Sequence, residues 1–482
     1  MSIMYSVGDK GRGPPRRPFK DMISFLKRTI LQSLLLIIVT VSNSYSEDIN
    51  FSNEAYEWLK SYVNINTVNP PGNEINAVNF FKNIFEKEGI EYKIYKSSKN
   101  RANILAEIKG GTKPSIMLLQ HMDTVDANKK FWITNPFKAT EKLGYLYGRG
   151  TLDMKGTGIS HLATFVRLNR QKEKLNRNII FLATADEETG GRMGLGWLIN
   201  NHPNIFKNVG FVLTEGGSGR IINQKLVFEI EVTQKVPVWL KLTSFGNPGH
   251  ASSPQVSSSI TKLIDALNYL KENPFPPRVI SSVEDYFYGL SDIVDTSDSK
   301  NFKNIKKVVS KKDFINKLQK KSPFHHSLTR DTCTITRLGG SNKINVVPAE
   351  AWAEIDCRIL PDKNADDFFK EIKEILSTFD IKVEKILAFN SSKSSIDTKL
   401  YKTIYATLKK DYPAAYILPR VTTGFTDSHY IRPLGIQSYG FNPIILDLQE
   451  LKGIHGNNER ISIKAFKKSV IDQYNIIKNF VY

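Results

Sequence analysis

The sequence predicts an α/β protein: a larger domain with a mostly parallel sheet flanked by helices, and a smaller α+β domain inserted within it. Three features of the 482 residues lead there. Up to about Gln234, short apolar runs of the buried-strand type alternate with amphipathic helical stretches. From Val236 the pattern changes to half-exposed strands that alternate in polarity around one helix. After Pro361 the first pattern returns and continues to the C-terminus. A chain of this length exceeds one hydrophobic core, which fits two domains.

Residues 1–46 read as a secretory signal peptide. Ile30–Val41 is apolar but short for a spanning helix, which needs roughly 20 residues. It follows Lys27 and Arg28 and precedes Ser44-Tyr45-Ser46, a small-x-small cleavage site. Met22 is an alternative start, and an uncleaved membrane anchor is the competing reading. Export to the periplasm or beyond puts the mature chain in an oxidising space with no stable membrane span. There Cys333 and Cys357, which flank a hairpin, have the option of a disulfide.

Residues 47–233 form the first part of the larger domain. A helical pattern (Ala55, Leu59, Tyr62, Val63) leads to the turn Asn69-Pro70-Pro71-Gly72, and a second helix covers Ala77–Lys87. Strands follow at Asn103–Ile108, Ser115–Gln120, Asn178–Ala183 and Gly210–Thr214, with helices at Ile159–Asn169 and Leu195–Asn200. Residues 234–359 form the smaller domain, with strands Val236–Ser244, Thr332–Leu338 and Glu350–Ile359 and a helix Ser257–Glu272. Within it, residues 275–330 read as a Lys-rich, solvated helical insertion. Residues 360–482 complete the larger domain.

Charge excludes little. The formal net charge is +19; seven basic and two acidic residues fall in the first 46, leaving +14. The surplus is scattered lysine with no arginine-rich arm, so no nucleic-acid partner is expected.

Parallel sheets deliver functional groups at the carboxyl ends of their strands. His121 and Asp123 end one strand (HMDTV), Glu187 and Glu188 another (DEETGG), and Glu215 a third (TEGG). Asp153 lies in the glycine-rich loop GRGTLDMKG ahead of a helix. So many carboxylates at one rim repel one another unless cations neutralise them. Carboxylate and imidazole donors suit Zn, Mn or Co. Asp123, two residues after His121 in an extended chain, shares its face and can hold the other imidazole nitrogen. Glu187 and Glu188 point differently, so one can ligate while the other serves as a general base.

HMDTV, GRGTLDMKG, DEETGG, TEGG and the later HGNNERI resemble the five metal-site motifs of a zinc metallohydrolase family. It includes glutamate carboxypeptidase, acetylornithine deacetylase, succinyl-diaminopimelate desuccinylase, aminoacylase and carboxypeptidase S. The resemblance implies a catalytic α/β domain with an inserted ferredoxin-like lid that dimerises, and two metal ions per chain, zinc with cobalt or manganese as alternatives. It makes Asp153 the bridging ligand, His121 and Glu215 the ligands of one ion, and Glu188 and His455 those of the other. Glu187 becomes the general acid/base, with a metal-bridging hydroxide as nucleophile, and Asp123 orients His121. His250 in NPGHASSP matches the lid histidine that reaches the scissile carbonyl. Asn345 in KINVVP, Arg358 in EIDCRIL and Gly424 match substrate-binding positions, although an ion pair of Arg358 with Asp356 or Glu354 is an equal reading. His429, in GFTDSHY, approaches the site without ligating metal, and the remaining four histidines are structural or exposed. Gly216-Gly217 after Glu215, where many relatives have proline, departs from the family pattern, and a Glu rather than an Asp in the final ligand position resembles the peptidase branch more than the deacetylases.

The expected activity is cleavage of a peptide or N-acyl amide bond beside a free carboxylate, as in a metallo-carboxypeptidase or dipeptidase. A strict N-acyl amino-acid deacylase is the alternative. A metal-free binding or scaffold homologue is the alternative of another class.

Overall fold

The computed structural model describes residues 1–6, 8 and 47–482. The chain divides into a short unit, Met1–Asn53, and a large one, Glu54–Tyr482, to which the following description applies. The expected signal peptide lies almost entirely outside the described residues.

Three strands with nearly unbroken apolar runs form the middle of a ten-stranded sheet: Arg177–Thr184, Lys113–His121 and Val209–Thr214, side by side and parallel. Such continuous apolarity suits strands covered on both faces. Gln437–Gly440 extends the parallel set, while Tyr92–Lys96 and Ala102–Ile108 add antiparallel strands on the other flank. Lys225–Gln234 carries the sheet further, with Tyr416–Thr422 parallel beside it. Helices Glu74–Lys87, Lys155–Gln171 and Leu195–Asn201 fall where the periodicity predicts, within a few residues.

A separate four-stranded antiparallel sheet has the order Thr332–Gly339, Glu350–Ile359, Val236–Phe245, Ile381–Ala388. Helices Ser259–Glu272 and Ala365–Leu376 pack against it, burying Leu263, Ala266, Phe368 and Ile372 with Leu240, Ala353 and Ile355. Ser258 starts the first of these helices through a reciprocal capping box with Thr261. The chain order strand, helix, strand, strand, helix, strand is that of a ferredoxin-like fold. This sheet continues past residue 359, where the sequence places its end, through Ala365–Leu376 to Ala388. The periodicity of an amphipathic helix is the same whichever sheet receives its apolar face, so pattern alone assigned it to the larger domain. Cys333 and Cys357 face each other in register on adjacent strands and form a disulfide.

The 275–330 segment is helical, as expected, but it is more than a solvated excursion. Val283, Tyr286, Phe287 and Leu290 of helix Ser281–Ser291 are buried with Val227, Leu418 and Val421 of the large sheet. The lysines face outward and conceal that apolar stripe in a composition-based reading. None of the described helices is long and apolar enough to cross a membrane.

Candidate metal centre

The three middle strands end at the same rim. His121 terminates its strand, Glu187 and Glu188 open a short turn after Thr184, and Glu215 follows Thr214. Asp153 precedes helix Lys155–Gln171, and His455 follows helix Leu448–Gly453. Asp153 joins the two histidines: its Oδ1 lies 3.1 Å from His121 Nε2 and its Oδ2 lies 2.9 Å from His455 Nε2. Glu215 Oε1 stands 3.5 Å from His121 Nε2, and Glu188 Oε2 stands 3.2 Å from His455 Nε2. Glu187 Oε2 is 4.0 Å from His121 Nε2.

Asp123 sits beneath this cluster. Its Oδ1 is 3.5 Å from His121 Nδ1, but its backbone carbonyl is nearer, at 3.0 Å. The carboxylate instead accepts the backbone N–H groups of Glu187 and Glu188, each at 3.1 Å, and Asn69 Nδ2 at 2.8 Å. One residue therefore holds both the imidazole and the turn that carries the two glutamates.

Burial pushes Glu187 well above the ordinary carboxylate range. Burial first, and the charge of Asp153 second, lift Glu215 to about 8 and raise Glu188 as well. Burial opposes ionisation of Asp153 too, but His121 and His455 outweigh it and hold that carboxyl below its usual range. Asp153 and then Glu188 lift His455 to about 11. The carboxylates thus compete for too few positive charges.

Cations fit this set. Donor atoms of His121, Glu187 and Glu215 all lie within 4.8 Å of one another, as do those of His121, Asp153 and Glu188. Among the described residues Glu187 Oε1 is buried with no hydrogen-bond partner, an acceptor left for a proton or a cation. Mixed imidazole and carboxylate donors suit zinc and its neighbours.

Residues 117–478 match the model of peptidase family M20/M25/M40. The chain belongs to that family. Among its curated M20 relatives is mouse (Mus musculus) "N-fatty-acyl-amino acid synthase/hydrolase PM20D1", 26% identical over 77% of this chain and 75% of its own. "Probable carboxypeptidase S-like 2" of Dictyostelium discoideum is 28% identical over 76% and 71%. The fold resembles that of the M20 family metallo-carboxypeptidase Sso-CP2 from Sulfolobus solfataricus, with TM-score 0.70 and 22% identity over 89% of this chain and 99% of that one. As an M20 member the protein is a hydrolase of C–N bonds.

In this M20 protein a cavity of about 580 Å³ adjoins the cluster, with Glu187, Glu188 and Glu215 in its lining. Arg358 and Gly424 line it as well, together with Trp239, Phe425 and Arg420. Arg358 pairs with Asp356 through Nε at 2.8 Å and Nη2 at 3.0 Å, so the ion-pair reading holds for two of its three nitrogens. Ile444, Leu446, Leu451, Ile454 and Ile461 supply an aliphatic wall. His250 and Asn345 are not brought to the cavity. Both are exposed, His250 on the small ribbon formed by Gly249–His250 and Val346–Val347 and Asn345 in the turn just before it, where Ala251 N–H donates to the Asn345 carbonyl at 3.1 Å. His250 Nδ1 is engaged locally, 2.7 Å from Ser252 Oγ. A motif locates such a residue in the chain but carries no information on how far the small sheet stands from the large one.

His429 is buried, its Nδ1 donating to the Thr426 carbonyl at 2.8 Å and its ring stacked 3.6 Å from Phe389; burial pushes its pKa down to about 4. It does not line the cavity. One supporting residue escaped the sequence reading although it stands in HGNNERI. Glu459 is fully buried, and its carboxylate accepts the backbone N–H groups of Gly150, Leu152 and Asp153 and the Arg149 guanidinium.

Proposed function

We propose that this protein hydrolyses a peptide or N-acyl amide bond beside a free carboxylate, using two divalent ions, zinc by its donor set, with cobalt or manganese as alternatives. The observation that carries this reading is Asp153, which turns one carboxylate oxygen to His121 and the other to His455. That is the disposition of a bridging ligand. His121 and Glu215 would hold one ion, and Glu188 and His455 the other. When bound, the ions would polarise the scissile carbonyl and lower the pKa of the attacking water.

Glu187 is the general acid/base. Buried, raised in pKa and with one oxygen unpartnered, it accepts a proton from the attacking water and returns it to the leaving nitrogen. Asp123 fixes the His121 ring and the Glu187–Glu188 turn together. Gly424 leaves room in the cavity wall, and Arg358 contributes to it from the small sheet. His250 and Asn345 act on the substrate carbonyl only if the two sheets close or a second copy supplies them. Exposed Ile335 and Leu338 on the outer strand Thr332–Gly339 favour pairing of two copies through the small, lid-like domain. The Cys333–Cys357 disulfide supports the export read from residues 1–46.

The strict N-acyl amino-acid deacylase remains the second reading, favoured by the aliphatic wall from Ile444 to Ile461. Metal content of the purified chain, with rates on dipeptides and N-acyl amino acids sharing one C-terminal residue, tests both. A chain that binds no zinc, cobalt or manganese and stays inactive when they are added would be the metal-free binding homologue instead.

A further inference from the structure

Behind the cavity wall a buried carboxylate is shared by two guanidinium groups and a phenol. Glu229 is 1% exposed. Its Oε1 accepts hydrogen bonds from Arg220 Nη2 at 2.6 Å and from the Tyr286 hydroxyl at 2.8 Å, and its Oε2 accepts one from Arg420 Nη1 at 3.1 Å. Burial pushes Glu229 up, but Arg420 and Arg220 outweigh it and hold the carboxyl below its usual range. Two guanidinium groups against one carboxylate leave a net positive charge there. Arg420 lines the cavity with about a quarter of its side chain exposed, 24%. Its Nη2 has no hydrogen-bond partner among the described residues.

The cavity's other guanidinium is differently placed. Arg358 commits Nε and Nη2 to Asp356, and its Nη1 is buried without a partner among the described residues. Of the two lining arginines, Arg420 therefore belongs to the group with surplus positive charge and keeps a guanidinium nitrogen that no described residue takes up. A carboxylate satisfies such a donor through a charge-assisted hydrogen bond. Tyr286 belongs to helix Ser281–Ser291, so the inserted segment reaches the cavity wall through Glu229.

We infer that Arg420, braced by Glu229 and by Tyr286 of the helical insertion, is the residue that selects substrates bearing a free carboxylate. This rests on the amide-hydrolase reading above. It gives the insertion a place in substrate choice, and it moves carboxylate recognition from the small sheet to the strand Tyr416–Thr422 of the large one.

The experiment uses the full chain in zinc-supplemented buffer with N-octanoyl-leucine and its C-terminal carboxamide, followed by calorimetric binding and by steady-state kinetics. The wild type prefers the acid. Arg420→Gln raises Kd and KM for the acid about 10- to 100-fold, the range of one charge-assisted hydrogen bond, and leaves kcat and carboxamide binding near wild type. Arg420→Lys keeps a charge on Glu229, guards against a folding defect and retains part of the preference. Tyr286→Phe weakens acid binding by a smaller factor, because Arg220 still holds Glu229; no change in this variant overturns the part given to the insertion. A folded Arg420→Gln that separates acid from carboxamide as the wild type does overturns the assignment, and so does loss of the preference in Arg358→Gln alone. A wild type that binds the acid in preference to the carboxamide but cleaves neither it nor a dipeptide ending in leucine refutes the amide-hydrolase reading, while loss of that binding preference in Arg420→Gln still identifies Arg420 as the carboxylate site.

Discussion

Glu459 lies directly under Asp153: its Oε1 accepts the Asp153 backbone N–H at 3.2 Å and the Leu152 N–H at 2.7 Å. The loop that presents Asp153 to both histidines therefore hangs on a carboxylate contributed from the far end of the chain. Glu459→Ala removes these acceptors and strands Arg149. Second-layer partners of metal ligands typically contribute 10- to 100-fold in affinity, so we expect zinc to bind about that much more weakly, measured by competition with a chelator. Unchanged affinity would mean that the loop holds its shape without Glu459.

Glu187→Gln should retain zinc and lose turnover. The amide keeps the shape of the side chain but cannot take the proton, and loss of a general base costs ~10²–10⁴ in rate. Metal analysis and kcat on the same preparation check this. Wild-type turnover would remove Glu187 from the role proposed for it.

His161, on helix Lys155–Gln171, is fully buried, and burial pushes its pKa down to about 3 from an ordinary 6.5. Between those values the unfolded chain binds a proton that the folded chain does not. Stability accordingly falls as pH drops from about 6.5 towards 3, by up to about 1.4 kcal/mol per pH unit from this residue. His161→Gln does not titrate and should flatten that limb. Urea unfolding at several pH values between 7 and 4 compares the slopes, and equal slopes would assign the acid sensitivity elsewhere.

Reduction of Cys333–Cys357 should destabilise the small sheet. The bond closes a loop of sequence separation 24, for which the chain-entropy model gives about 3.5 kcal/mol. Thermal unfolding of the wild type with and without reductant, beside a Cys333→Ser variant, measures it. A midpoint indifferent to both would show that strand pairing alone fixes this edge.

Mixing His250→Ala chains with Glu187→Gln chains under subunit exchange decides where His250 acts. If it serves a neighbour's site, about a quarter of the sites recover on random pairing. Mixed dimers without recovery place its action within one chain, through closure of the two sheets.

The convergence of His121, Asp153, Glu188, Glu215 and His455 was legible because strand ends of a parallel sheet share one rim and each residue stands in a motif. The limits of the small sheet were not legible. Helix Ala365–Leu376 has the periodicity of any surface helix, and only its packing shows which sheet it covers. Arg358 was readable only as two alternatives, since neighbouring sequence cannot decide whether Asp356 takes a guanidinium or leaves it free. Glu459 was missed because it works through backbone amides roughly three hundred positions upstream, which impose no pattern on side chains. The apolar face of Ser281–Ser291 was masked by the lysines that follow it.

The contact between Asp153 and His455 also bears on biosynthesis. During synthesis the acidic cluster from Asp123 to Glu215 emerges well before its last imidazole, His455, and the Glu459 support. A nascent or truncated chain lacking residues beyond about 450 carries the carboxylates and His121 without His455 and without the support of Glu459 under Asp153. The centre is therefore complete only once residue 459 has been made and docked against Asp153. Carboxy-terminal deletions should then behave as complete losses of activity even where the remaining sheet is intact.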